Sequence, residues 1–108
     1  MKEKLEKYAE LLLTKGVSIK PGTPLLISAP MEAYEFVEIL SKKAFEKGVT
    51  DIGYDLIDEK IKHDALKYLE INDLKESPIF NKKIFDEYAK KDAAFLMLMS
   101  DDPTLMDD

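Results

Sequence analysis

The stretch Ile19–Pro30, I-K-P-G-T-P-L-L-I-S-A-P, constrains this chain more than any other. Pro21-Gly22 reads as a turn, because proline presets φ at the first turn position and glycine accepts the left-handed conformation at the second. Leu25, Leu26 and Ile27 follow as an uninterrupted apolar run too short to be a helix. A strand covered on both faces has this pattern, since neither face calls for polar residues. Ser28, Ala29 and Pro30 end the strand and lead into a helix, with Pro30 at its first position. The chain is therefore an α/β domain organised around a buried central strand.

The flanking segments fit that frame. Leu5, Ala9, Leu12 and Leu13, with Tyr8 beside them, recur at helical spacing over Lys2–Lys15. The polar face of that helix mixes Lys with Glu, which suits packing on a sheet better than a membrane surface. Ala33, Phe36, Val37, Leu40 and Ala44, flanked by Phe45, form the apolar stripe of a second helix. Its first half carries Glu32, Glu35 and Glu38, and its second half Lys42, Lys43 and Lys47, an order that complements the helix dipole. Both helices close alike, as Lys15-Gly16-Val17 and Lys47-Gly48-Val49, with glycine expected in the left-handed C-terminal position.

Asp51–Ile57 reads as a second strand, with Ile52, Tyr54 and Leu56 on one face and Gly53, Asp55 and Ile57 on the other. The Asp55 face is expected to be partly wet, which suggests an edge strand or a strand end near a cleft. Strand, helix and strand then form a right-handed parallel βαβ unit. Asp58 caps a third helix whose buried row is Ile61, Ala65 and Leu69. Ser77-Pro78 starts another, with Phe80, Ile84 and Tyr88 along one side and Phe85 and Ala89 next to them. Ala93–Met99 is apolar on both faces and reads as an interior third strand, before an acidic tail, Ser100–Asp108. The expected fold is a small, largely parallel sheet of three or slightly more strands, with helices on both faces.

Chemistry is harder to find than structure. With 108 residues, the chain is one domain. A net charge of −6 argues against a nucleic-acid partner. No segment has the apolar length of a membrane helix, and the start M-K-E-K-L-E-K lacks the apolar core of a signal peptide. The absence of cysteine excludes disulfides, thiol catalysis and thiolate metal sites, and fits a cytoplasmic protein. His63 is the single histidine, in a charged helical stretch, and one histidine makes no transition-metal site. Asp101, Asp102, Asp107 and Asp108 follow a strand but match no calcium-loop spacing, and read as a solvated loop. Met31, Met97, Met99 and Met106 read as core or interface filler. Ser28 stands at a strand end with no nucleophile motif and no nameable base. Asp51, Asp55 and Asp58 lack the acidic pair and the lysine of a phosphoacceptor domain. No catalytic, cofactor-binding or metal-ligating residue is assigned, so a complete hydrolase is disfavoured. A stand-alone α/β binding module, with a crevice beside Ser28–Met31 and Ser100–Pro103, remains open.

The order of motifs goes further. Y-A-E-L-L-L-T-K-G-V is followed by I-K-P-G-T-P-L-L-I-S-A-P, then by E-A-Y-E-F-V-E-I-L-S-K-K-A-F-E-K-G-V-T-D-I, and finally by A-A-F-L-M-L-M-S-D-D-P. In that order and spacing the chain resembles the start of the metallo-aminopeptidases of the aminopeptidase T / aminopeptidase S (PepS) group. The resemblance covers nearly all of the chain. It implies a parent enzyme much longer than this chain, which removes N-terminal amino acids from peptides. Two divalent ions of the zinc or cobalt class would sit in a C-terminal catalytic part, on glutamate, histidine and aspartate ligands that map onto nothing here. It further implies that this chain is the N-terminal domain, inactive alone, partnered by that catalytic part and homo-oligomeric in the full-length enzyme. A domain of that kind should expose apolar side chains, and Met31, Tyr34, Leu105 and Met106 are the expected ones.

Overall fold

A computed structural model describes residues 2–75 and 78–98. Three parallel strands, β1 (Leu25–Pro30), β2 (Ile52–Ile57) and β3 (Ala94–Met97), form one sheet in the order β2-β1-β3. Leu25 pairs with Ile52 on one side and Ala94 on the other, and Ser28 with Asp55 and Met97. β1 is thus central, and all six of its residues are buried. Leu25, Leu26 and Ile27 are each at most 1% exposed.

The register divides the sheet into two faces. Leu25, Ile27 and Ala29 point into a core made with α1 (Lys2–Leu11) and α2 (Tyr34–Glu46). Ala9, Leu13, Leu40 and Ala44 are fully buried there, with Phe36, Val37 and Val49 nearly so. The rings of Tyr8 and Phe36 stack with centroids 5.4 Å apart, fixing α1 on α2. Lys47 Nζ reaches Glu10 Oε2 at 2.6 Å across the same pair of helices. On the opposite face lies α5 (Ile79–Lys90), and α3 (Glu59–Tyr68) and the single turn α4 (Ile71–Leu74) come between β2 and α5 in the chain. Here α5 is held by Phe85, which stacks on Phe95 of β3 with centroids 5.8 Å apart, and by Tyr88 over β2.

Several sequence expectations need correction. The two helix ends differ. Gly48 is left-handed, at φ 96°. Gly16 instead ends a five-residue π turn, Leu12–Gly16, that Val17 N–H closes on Leu12 O at 2.9 Å, and the left-handed residue is Ser18. Pro30 is the last residue of β1, at φ −68° and ψ 150°. A 3₁₀ turn, Met31–Ala33, separates it from α2, because an extended proline cannot be the first helical residue. Pro78 precedes α5 with extended geometry rather than sitting inside it, and Ser77 lies outside the described residues.

Burial departs further. Of the row expected to be buried in α3, Ile61 is 67% and Leu69 48% exposed, while Ala65 is half-buried. Phe80 at the start of α5 is 71% exposed. β3 is an edge strand among the described residues, not an interior one, and Met97 on it is exposed; Met99 lies outside them. β2 is an edge strand among the described residues, one of the two expectations for it, and its Asp55 face is half-buried, as a partly wet face implies. Tyr54 and Leu56 on its other face are exposed.

Candidate functional site

Ligands of parallel α/β sheets gather outside the C-terminal strand ends, where the strand order reverses. In the order β2-β1-β3 that point lies beside the ends of β1 and β3. Ser28, Pro30 and Met31 stand there, with Asp55 and Met97 on the neighbouring strands. Ser28 is buried, and its hydroxyl donates to Asp55 Oδ2 at 3.4 Å. Its carbonyl accepts Leu98 N–H at 2.8 Å. These bonds tie strands together. A hydroxyl facing a carboxylate inside a sheet, without a histidine or lysine beside it, is a structural crosslink rather than a nucleophile.

The other acidic candidates are dispersed. Asp51 accepts the Tyr88 hydroxyl at 2.7 Å, and Asp58 caps α3 by accepting Lys60 N–H at 2.8 Å. His63 is exposed on α3. Among the described residues no group of three or more His, Cys, Asp or Glu side chains is placed to hold a metal ion. The aspartates of the tail, with Leu105 and Met106, lie outside the described residues.

What the structure does bring together is a latch and a set of surfaces. Tyr88 lies so close over β2 that a Cβ on Gly53 would fall 2.6 Å from its hydroxyl. Burial, then the hydrogen bond to the Asp51 carboxylate, pushes the Tyr88 phenol up to about 12. A glycine within a strand marks such an approach, and Gly53 was the one sequence signal for this contact; its partner, 35 residues on, carried none. Across the sheet, a groove of ≈ 520 Å³ runs between α2 and the free side of β2. Tyr34, Phe45, Tyr54 and Leu56 give it apolar walls, and Glu38 and Lys42 stand on its helix side. Tyr54 Oη and Ser41 Oγ are hydrogen-bonded at 2.8 Å at its floor. Met31 and Tyr34 are half exposed, as the sequence suggested. A second apolar surface, with Ile79, Phe80 and Ile84, lies along α5.

A fully buried central strand with parallel neighbours in the order 2-1-3 defines a small parallel α/β fold. Residues 1–108 match, in full, the family described as thermophilic metalloprotease (M29), and the chain belongs to that family. It is 32% identical over 106 residues to aminopeptidase 2 of Geobacillus stearothermophilus, covering 98% of this chain and 26% of that protein. It is 32% identical over 102 residues to aminopeptidase PepS of Streptococcus thermophilus, covering 94% of this chain and 25% of that one. The fold matches wild-type AmpT from Thermus thermophilus with a TM-score of 0.79 and 26% identity, over 98% of this chain and 27% of that chain. The chain thus spans about a quarter of the length of the relatives it matches.

Proposed function

We propose that this chain is the N-terminal, non-catalytic domain of a metal-dependent aminopeptidase that releases N-terminal amino acids from peptides in the cytoplasm. The observation that carries this reading is the full-length match of the chain to only a quarter of each aminopeptidase relative. Two divalent ions would polarise the scissile carbonyl and activate water in such an enzyme. Among the described residues no donor set fits such a centre, and the proposal puts its ligands in the remainder of the parent. The role left to this domain is packing and the shaping of access. Its apolar helices α3 to α5 support that role, because Ile61, Leu66, Ile71, Ile79 and Phe80 are each at least 60% exposed. A surface of that composition is what a domain–domain contact covers.

The test is an activity comparison on amino-acid anilides with Co²⁺, Zn²⁺ or Mg²⁺ supplied. The purified 108-residue chain should show no turnover, and the full-length parent should show metal-dependent turnover. Metal-dependent activity in the short chain that His63→Ala abolishes would overturn the reading.

A further inference from the structure

We infer that the groove between α2 and the free side of β2 is a binding site for a free amino acid with an aromatic side chain. Its zwitterionic head is held at the helix rim and its ring lies between the apolar walls. Size sets the first limit. At ≈ 520 Å³ the groove falls within the range of small-ligand sites, about 300–1,000 Å³. Its lining has the composition of such sites too, mostly apolar with a few placed polar groups. Tyr34, Phe45, Tyr54 and Leu56 are between 37 and 55% exposed, so their apolar surface is open to a guest. Three aromatic walls favour a flat ring, which packs on them offset or edge-on.

Charge selects the head group. Glu38 and Lys42 are exposed and one turn apart on α2, which sets their Cβ atoms about 5–6 Å apart on one face. That spacing suits a pair with each other, yet neither is ion-paired or hydrogen-bonded to another described residue. A carboxylate and an ammonium at the rim of an apolar cleft match a guest that carries an ammonium and a carboxylate on one carbon. A simple anion or cation would meet one attraction and one repulsion there. The floor supplies a further contact. Ser41 Oγ, on a residue only 7% exposed, shares a hydrogen bond of 2.8 Å with Tyr54 Oη. Two hydroxyls carry two protons and their mutual bond uses one, so the other is left to donate into the groove. A phenol oxygen at the tip of the ring accepts it, so tyrosine meets rim, walls and floor together. Binding at this groove is independent of the peptidase reading, and a negative result would leave that reading where it stands.

The experiment is an amide NMR titration of the 108-residue chain with L-phenylalanine, L-tyrosine, N-acetyl-L-phenylalanine and L-phenylalaninamide. L-Phenylalanine should give saturable shifts confined to residues 34–46 and 52–57, with a Kd on the order of 1 mM, the level open to a ligand of about twelve non-hydrogen atoms. At equal, sub-saturating concentration L-tyrosine should give the larger shifts. Glu38→Gln and Lys42→Met should each weaken binding of L-phenylalanine by ~3-fold or more. Glu38→Gln should leave N-acetyl-L-phenylalanine binding unchanged, because that probe has no ammonium, and Lys42→Met should do the same for the amide, which has no carboxylate. Both substituted side chains are exposed, and circular dichroism checks that the fold is retained; the comparison of the four probes on the wild-type chain needs no variant. Absence of saturable shifts in these residues overturns the inference. So do shifts centred on α5, N-acetyl-L-phenylalanine or L-phenylalaninamide binding as tightly as L-phenylalanine, or L-tyrosine binding more weakly than L-phenylalanine.

Discussion

The two faces of the sheet differ in how far this chain completes them. On one, α1 and α2 bury Ala9, Leu13, Phe36, Leu40 and Ala44 against Leu25, Ile27 and Ala29. On the other lies α5, and among the described residues no residue of α5, or of α3 and α4 before it, is buried, although each helix carries large apolar side chains. Amphipathic patterning tells which side of a helix avoids water in its final assembly. It does not tell whether the covering surface lies in the same polypeptide. The α1–α2 face is a closed core, whereas α3 to α5 carry exposed apolar side chains of the kind that a contact covers.

Truncations give the widest separation between the faces. Leu40→Ala or Leu13→Ala should cost ~2–5 kcal/mol in urea denaturation, since each removes a fully buried side chain and leaves a cavity. Ile61→Ala and Phe80→Ala should change stability by about 0.5 kcal/mol or less in the isolated chain. Equal losses on both faces would show that α3 and α5 are packed in solution.

The two helix ends provide a smaller contrast. Gly48→Ala should cost ~1 kcal/mol or more, because φ is 96° and the new Cβ would sit 2.9 Å from Pro21 Cβ. Gly16→Ala should be neutral or stabilising by ~0.4–1 kcal/mol, since Gly16 is not left-handed and its nearest neighbour, Leu12, is 3.8 Å away. Thermal unfolding of both variants checks the sign.

Much of the first face was legible in the sequence. Pro21-Gly22, with Gly22 at φ 83°, the apolar run Leu25–Ile27 and the stripe of α2 all follow from local chemistry. Asp58 caps α3 as its position suggested. The failures share one cause. Ile61 and Leu69 as a buried row and β3 as an interior strand both rest on apolar character, which implies a cover that the described residues do not supply. Gly16 failed differently: a π turn and a left-handed Ser18 replaced the expected glycine end, and K-G-V alone does not distinguish the two. At the site, the sequence showed an inventory without an active centre, whereas the Tyr88–Asp51 latch and the α2–β2 groove needed three-dimensional proximity.

That latch attaches the sparsely packed face to the sheet. Tyr88→Phe should lower stability by ~0.5–1.5 kcal/mol, the usual worth of one hydrogen bond. Alkali should act in the same way. The folded-state phenol is raised from 10.0 to about 12, so its contribution is intact below pH 10 and is lost as pH rises through about 12. The wild-type chain should lose stability across that window, and Tyr88→Phe should lose less. The smallest effect belongs to the finished face. The Lys47 hydrogen bond holds Glu10 below its ordinary 4.5, so that contribution is present above pH 4.5 and fades on acidification. Glu10→Gln should flatten the acid limb slightly, in a pH series of urea midpoints.

The central claim is that α1, α2 and β1 form a core complete within this chain, while α3 to α5 are finished by the rest of a longer enzyme. Amide hydrogen exchange, measured on the 108-residue chain and on the same residues in the full-length parent, tests it most directly. Protection of β1 and α2 should be high in both. Protection of α3 and α5 should be low in the short chain and rise by more than about tenfold in the parent. Equal, high protection of α3 and α5 in both would contradict the account.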